Sequence, residues 1–377
     1  MNKDVPVAHD DRVRQELFWG WLDQKVQVFT RRLLEQVLLS EQQELIGAGW
    51  NERPAGRSGW RNGFYHRRLL TPHGPLQVKI PRCRQVSVDC SMLFDRYQRR
   101  VADVDRILRH AYLLGASTRG TAQLAEQVFG GTVSHETISR LMRWLDRQLR
   151  LWRQQPIRPD YKVVYIDGMH VAVLGQDRMV MLVAGQREAQ HGLEVLGFCV
   201  STGERCRQLL ADLRRRGLEN VELFVSDESG AIRSALEEVY PEVAWQSCTF
   251  HRLQALRRNV GQSQYRDSMV SEAARIFRCP SRLAAVDEAV AWAGRWRHRN
   301  VLAVQQFMGG LTDSLSFYNL PKVWWTRVRT NNPMERLIRT LRMRLDNMGC
   351  FHDVPAVERA VFGQLTRWHK IKLTHNC

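Results

Sequence analysis

Three carboxylates stand where an acid is costly unless something uses it. Asp167 follows the apolar run Val163-Val164-Tyr165-Ile166 in VYIDGMHV. Asp227 closes the apolar run VELFVSD, and Glu335 sits among arginines in RTNNPMERLIRTLRMRLDNMG. An aspartate in a core strand destabilises the fold unless charged partners or a metal satisfy it. Strand ends are where open α/β sheets collect ligands. Three converging carboxylates repel one another and resist ionisation without cations. Hard oxygen ligands suit Mg²⁺, with Mn²⁺ as a substitute. Two such ions about 3.5–4 Å apart activate an oxygen nucleophile and stabilise a leaving oxygen in phosphodiester chemistry. Asp167, Asp227 and Glu335 are therefore the candidates for both catalysis and metal ligation.

Each also has a plainer reading. Asp167 is followed by Gly168 and suits a turn. Asp227 suits the cap of the helix that follows it. In Asn332-Pro333-Met334-Glu335, Asn332 reads as an N-cap, Pro333 as the first helical residue and Glu335 as the third. A glutamate there can reach back to the cap amide or pair with Arg339. Asp177, Asp212, Glu228 and Glu238 read as ordinary surface acids.

The elements around these residues follow from periodicity. YKVVYIDGMHVAVLG, RMVMLVAG and LEVLGFCV read as three consecutive strands, an antiparallel meander. A helix over 203–217, a strand at VELFVSD, a helix over 229–240, a strand at VAWQSC and a helix from His251 then alternate. This is the pattern of an RNase H-like α/β fold with a five-stranded mixed sheet and flanking helices. Its parts are residues 160–260 and 329–377, interrupted by an α-helical insertion over 261–328. Met334, Ile338, Leu341, Leu345 and Met348 make one apolar face of the last core helix, with Gly349 as its stop. Glu335, Arg339 and Arg342 share the neighbouring polar stripe. Arg339, Arg342 and Arg344 are candidate DNA contacts.

The N-terminal part divides into a helical region over 1–47, a basic β-hairpin-like module over 48–102 and a helix-turn-helix-like region over 103–155. In the first, Leu17, Leu22, Val26, Phe29, Leu33 and Val37 run at helical spacing. In the second, Arg57, Arg61, Arg67 and Arg68 interleave with Trp60, Phe64 and Tyr65, which suits phosphate contact or simply a basic surface hairpin. In the third, Ser134 reads as the N-cap of a second helix with Ile138, Leu141, Leu145 and Leu149 inward. Ser139, Arg140 and Arg143 then face outward as a recognition helix requires, and Arg119 is a further candidate DNA contact. An ordinary αα-hairpin fits the same pattern.

The 377 residues suffice for two or three domains. The net charge of +17 is arginine-driven and spread along the chain, which points to a nucleic-acid partner. No apolar run is long enough for a membrane span. The first residues lack a signal-peptide core. The eight cysteines form no dense framework, so an intracellular, reduced protein is expected.

The order and spacing of GWRNGFYHRR, GPLQVKIPRCR, YLLGASTRG, VSHETISRL, VYIDGMHV, VELFVSDESG, AWQSCTFHR and NNPMERLIRTLRMR resemble the bacterial Mutator-type (IS256-like) family of DDE transposases, from about residue 50 to 365. The resemblance implies that Asp167 and Asp227 fill the two aspartate positions and Glu335 the glutamate position. It implies binding of double-stranded DNA at terminal inverted repeats, metal-dependent cleavage and joining, a homodimer or higher synaptic assembly, and a cytoplasmic setting. A non-catalytic DNA-binding derivative and an RNase H-fold nuclease or resolvase remain the alternatives. The family's Cys-x-x-His signature is matched by Cys248 and His251. Two ligands are too few for a zinc site, so the pair is structural or near the active site. Trp245 before them is a core residue or a base-stacking one.

Overall fold

The computed structural model describes residues 11–88, 93–95, 97–187, 192–201 and 203–368. The initial ten residues of the expected N-terminal region and the last nine of the C-terminal part lie outside them. The chain divides into two compact units, Met1–Met142 and Arg143–Cys377.

The first unit begins with one helix of 36 residues, α1 (Asp11–Ile46). A hairpin follows, β1 (Trp60–Thr71) and β2 (Gly74–Arg84), antiparallel with Thr71 opposite Gly74. Gly74 has φ +115°, which its lack of a Cβ permits at this tight turn. Leu38 of α1 packs on Leu69, Leu76, Val78, Ile80 and Phe94 to form the unit's core. The helix is present, but most of the apolar residues at that spacing do not face inward. Phe29 is 68% exposed, and Leu17, Leu33 and Val37 are exposed too. The stripe that faces the hairpin steps in fours from Leu22 and Val26 through Thr30, Leu34, Leu38 and Gln42 to Ile46. Its polar members Thr30 and Gln42 hide it. Gln42 is buried because it donates to the Arg82 carbonyl at 3.1 Å.

Helices α2 (Ala102–Leu113), α3 (Thr118–Phe129) and α4 (His135–Met142) complete this unit. Ser117 caps α3 by accepting the Gly120 N–H, and Gly130 ends it in the left-handed region. Ser134 accepts the Thr137 N–H at 3.2 Å, as an N-cap should. The expected second helix does not run through to Leu149. It breaks at Arg143 and resumes as α5 (Trp144–Gln154), which belongs to the second unit. There the Arg359 guanidinium grips Asp146 at 2.8 and 3.0 Å, and Arg153 pairs with Glu358 at 2.9 Å. Trp152 packs on Phe198 and Phe362. These ties hold α5 in the second unit.

The second unit carries the sheet: β3 (Tyr161–Val173), β4 (Gln176–Arg187), β5 (Glu194–Ser201), β6 (Leu223–Ser226) and β7 (Ala244–Ser247). The order is β5-β4-β3-β6-β7. The first three strands pair antiparallel, and β6 and β7 join parallel to β3. It is the mixed five-stranded sheet that the strand pattern predicts. Helices α6 (Gly203–Arg215) and α7 (Gly230–Val239) cover one face, where Val164, Ile166, Val183 and Leu196 pack with Leu210, Leu213, Ile232 and Leu236. Side chains alternate along a strand, so Tyr165 and Asp167 point to the opposite face.

After α8 (Thr249–Val260) the chain is helical: α9 (Arg266–Ile276), α10 (Arg282–Trp296), α11 (Val301–Met308), a 3-10 turn Leu311–Asn319 and α12 (Lys322–Val328). Then come α13 (Asn332–Leu345) and α14 (Val354–Trp368). Helix α13 packs on β3, burying Met334, Leu337, Ile338, Leu341 and Leu345. Among the described residues no helix is long and apolar enough to cross a membrane.

Candidate active site

The parallel pairing of β3 and β6 brings the two aspartates to the same end of neighbouring strands. Tyr165 pairs with Val225, so Asp167 lies two residues further along β3 and Asp227 just past the end of β6. Asp167 is half-buried on β3, and the Gly168 N–H donates to its carboxylate at 2.8 Å. Burial pushes its pKa up from 3.8 to about 6. The charges of Asp227 and Glu335 push the same way, while His251 and the Gly168 bond oppose them. Asp227, His251 and Glu335 are thus all within electrostatic reach of Asp167.

Glu335 arrives from α13, and Asn331 aims it. The N-cap is Asn331, one residue before the expected Asn332, and its side chain does not cap. It is fully buried and donates to the Ile166 carbonyl at 3.3 Å, one residue before Asp167. Its backbone N–H reaches the Cys248 sulfur at 3.3 Å. Its own carbonyl accepts the N–H groups of Met334 and Glu335 at 2.9 and 3.0 Å. Cys248 in turn donates its N–H to the Ser226 carbonyl, next to Asp227, at 2.8 Å. One chain of bonds therefore joins the backbone beside all three acids. The capping reading of Glu335 loses on geometry, because Oε1 is buried with no hydrogen-bond partner and faces His251 Nε2 at 3.7 Å. Asp227 Oδ1 is likewise buried and unpartnered.

Buried carboxylate oxygens without donors are costly. The charges of Asp227 and Glu335 both act on Asp167, and a hard divalent cation, which takes oxygen ligands, would compensate that repulsion. Asp167, Asp227 and Glu335 are the residues whose donor chemistry could hold it.

His251 stands beside this group in the first turn of α8. The neighbouring Cys248 sulfur is the largest cause that raises its pKa to about 9, with Glu335 and Asp167 adding to it and burial opposing. Its Nδ1 is nonetheless buried without a hydrogen bond of good geometry. Trp245 is packed: its Nε1 donates to Ser226 Oγ at 2.8 Å and Arg233 lies over its ring.

Sequence reasoning missed two supports. Arg252, 5% exposed, pairs with Glu228 and donates to Ser314 Oγ, at 2.6 Å, and to the carbonyls of Phe307, Gly309 and Gly310. Glu228, the residue after Asp227, is therefore no ordinary surface acid, since its pair with Arg252 ties this segment to the helical region. Asn331 was passed over for its neighbour Asn332. The Asn-Asn pair signalled a cap, and nothing local says which of two asparagines is buried.

The candidate DNA contacts fall into two groups. Arg61 donates to the Ala48 and Gly49 carbonyls at 2.7 and 3.0 Å and lies over Trp50, and Arg57 donates to the Gly59 carbonyl. Both hold the hairpin's base in shape. Arg119, Arg140 and Arg143 are exposed and Ser139 is half-buried. On α13, Arg339 and Arg342 are exposed and Arg344 is half-buried.

Comparison with known proteins decides the family. The model of the family described as Transposase, Mutator family, matches residues 12–370. This chain belongs to that family. The transposase of insertion sequence ISRM5 from Rhizobium meliloti is 26% identical, covering 98% of this chain and 90% of its own. That of IS406 from Burkholderia multivorans is 29% identical, covering 83% and 82%. That of IS256 in transposon Tn4001 from Staphylococcus aureus is 28% identical over 59% and 58%. The Mutator-type, IS256-like resemblance of the motifs is thus borne out. A solved Drosophila P element transposase strand transfer complex aligns over 72% of this chain and 67% of its own, at TM-score 0.28 and 16% identity, too low to bear on the fold.

Proposed function

We propose that this Mutator-family transposase works by DDE chemistry on an RNase H-like core, with residues 261–328 as a helical insertion. Asp167, Asp227 and Glu335 are the catalytic acids. The observation that supports this reading is the electrostatic influence of Asp227 and Glu335 on the half-buried Asp167, two of the three acids bearing buried unpartnered oxygens. The sheet order, with its antiparallel meander and two parallel strands, supports the fold assignment. The substrate is double-stranded DNA, namely the element's terminal inverted repeats and a target. Bringing two ends together calls for a homodimer or larger synaptic assembly.

Asp167, Asp227 and Glu335 would hold two Mg²⁺ ions, for which Mn²⁺ substitutes, and these would supply Lewis-acid activation of the attacking oxygen and stabilisation of the leaving one. The chain's own residues do the rest. Asn331 and Cys248 fix the backbone from which the acids project. The His251 imidazolium offsets part of the carboxylate charge. Arg339 and Arg342, on the stripe of α13 that carries Glu335, hold backbone phosphates near the acids. Arg119, Ser139, Arg140 and Arg143 bind the element ends, with Arg57 and Arg61 shaping the hairpin beside them in sequence.

The test is a strand-transfer assay on short element ends with Mg²⁺ or Mn²⁺. Joining of 3′ ends to target DNA is the expected result. Cutting without joining would make the protein a nuclease or resolvase, and binding alone a regulator.

A further inference from the structure

Cys248, His251 and Glu335 each present one ligand atom, and these atoms lie within 4.8 Å of one another. The triad acids are hard oxygen donors, but this group adds a sulfur and an imidazole to one of them. Cys248 is the residue before α8 and His251 stands three residues on, a spacing that puts both on one side of the helix. The Cys248 side chain is fully buried, and its sulfur accepts the Asn331 N–H. His251 Nδ1 and Glu335 Oε1 are buried atoms without hydrogen-bond partners. The sequence offered only the first two ligands, and the fold brings the third from a distant helix.

We propose that Cys248, His251 and Glu335 form a site for a thiophilic divalent ion of the Zn²⁺ class, distinct in chemistry from the hard-ion set and sharing Glu335 with it. Zn²⁺ takes sulfur, nitrogen and oxygen donors in tetrahedral geometry, and three protein ligands leave the fourth position to water. Bonds of about 2.0–2.3 Å bring ligand atoms closer together than the present 4.8 Å limit. Small rotations of the partly exposed His251 and Glu335 side chains close that gap. Because Glu335 cannot serve both sets fully, a thiophilic ion here opposes loading of the hard-ion set. That consequence rests on the DDE reading, whereas the binding itself does not.

The experiment uses the full-length protein stripped with a chelator and titrated with Co²⁺, a spectroscopic stand-in for Zn²⁺. The expected result is a tetrahedral d–d spectrum with a thiolate charge-transfer band, displaced by Zn²⁺. Cys199 and Cys206 are neighbouring buried thiols, so Cys248→Ser assigns the band and should remove it. His251→Gln should weaken Co²⁺ binding more than about 100-fold, since even outer-shell changes cost about 10–100-fold. Asp227→Asn, which disables catalysis under the DDE reading, leaves these three ligands intact and should bind Co²⁺ like the wild type, so either reading can fail alone. Absence of a thiolate band in the folded wild type overturns the proposal, as does unchanged binding in His251→Gln. Should Cys248→Ser fail to fold by circular dichroism, the partly exposed His251→Gln variant decides the matter.

Discussion

Asp167→Asn should destroy activity and stabilise the metal-free protein. Burial raises the Asp167 pKa from 3.8 to about 6, so at neutral pH the folded chain carries a charge it disfavours. The gap between 3.8 and about 6 corresponds to a penalty of about 3 kcal/mol at most. The sign follows from the raised value. The penalty is absent below the unfolded value of 3.8, grows as pH rises and is complete above about 6. Asparagine keeps the shape and can still accept the Gly168 N–H through Oδ1. It removes the charge and its repulsion with Asp227 and Glu335. For a unit of this size, about 3 kcal/mol is a rise in melting temperature of roughly 6–12 °C. The assay is thermal unfolding of both proteins in chelator at pH 7.5 and again near pH 4, alongside strand transfer at pH 7.5. The stabilisation should be large at pH 7.5 and nearly gone near pH 4. A variant that melts below the wild type at pH 7.5, or that keeps strand transfer, would refute the reasoning.

Asp227→Asn and Glu335→Gln should each abolish cutting and joining while sparing end binding in a gel-shift assay; near-normal activity removes that residue from the triad. Asn331→Ala loses the bond to the Ile166 carbonyl and should cost about 1–3 kcal/mol of stability together with strand transfer, measured by denaturant unfolding and the joining assay. Arg140→Ala and Arg143→Ala should weaken binding to element ends. Loss of a base contact relaxes sequence preference, and loss of a phosphate contact lowers the salt slope; unchanged end binding in both would exclude this segment as the reader. Arg339→Ala and Arg342→Ala should lower DNA affinity and strand transfer with melting temperature nearly unchanged, because exposed charges contribute only about 0–1 kcal/mol; full activity would exclude α13 as a DNA contact.

The sheet was legible because its strands bury one or both faces and so write their period into the chain. Val164 and Ile166 pack under α6 and α7, while Tyr165 and Asp167 take the other face. Asp167 was visible for the same reason, as a charge ending an apolar run. What stayed hidden depends on partners far along the chain. The inward stripe of α1 passes through Thr30 and Gln42, whose polarity disguises it, and Gln42 is satisfied only by a carbonyl of β2. The break at Arg143 separates two units and has no Gly or Pro to announce it. Arg252 resembles any basic helix residue until Glu228, Ser314 and three carbonyls close around it.

Asn331 makes the point most sharply for the site. Local rules choose between adjacent asparagines by which one caps a helix, and they chose Asn332. The fold instead spends the buried Asn331 side chain on β3 and its N–H on Cys248, leaving the cap unmade. A helix start that forgoes its cap to dock on the strand carrying Asp167 gives up local stability for placement. The residue so placed is Glu335, three positions from the Pro-containing start expected and within reach of His251. Its neighbours Arg339 and Arg342 on the exposed stripe are then free to meet a polyanion. A lone acid in an arginine-rich helix is thus consistent with a division of labour, the acid turned toward the sheet and the arginines toward solvent.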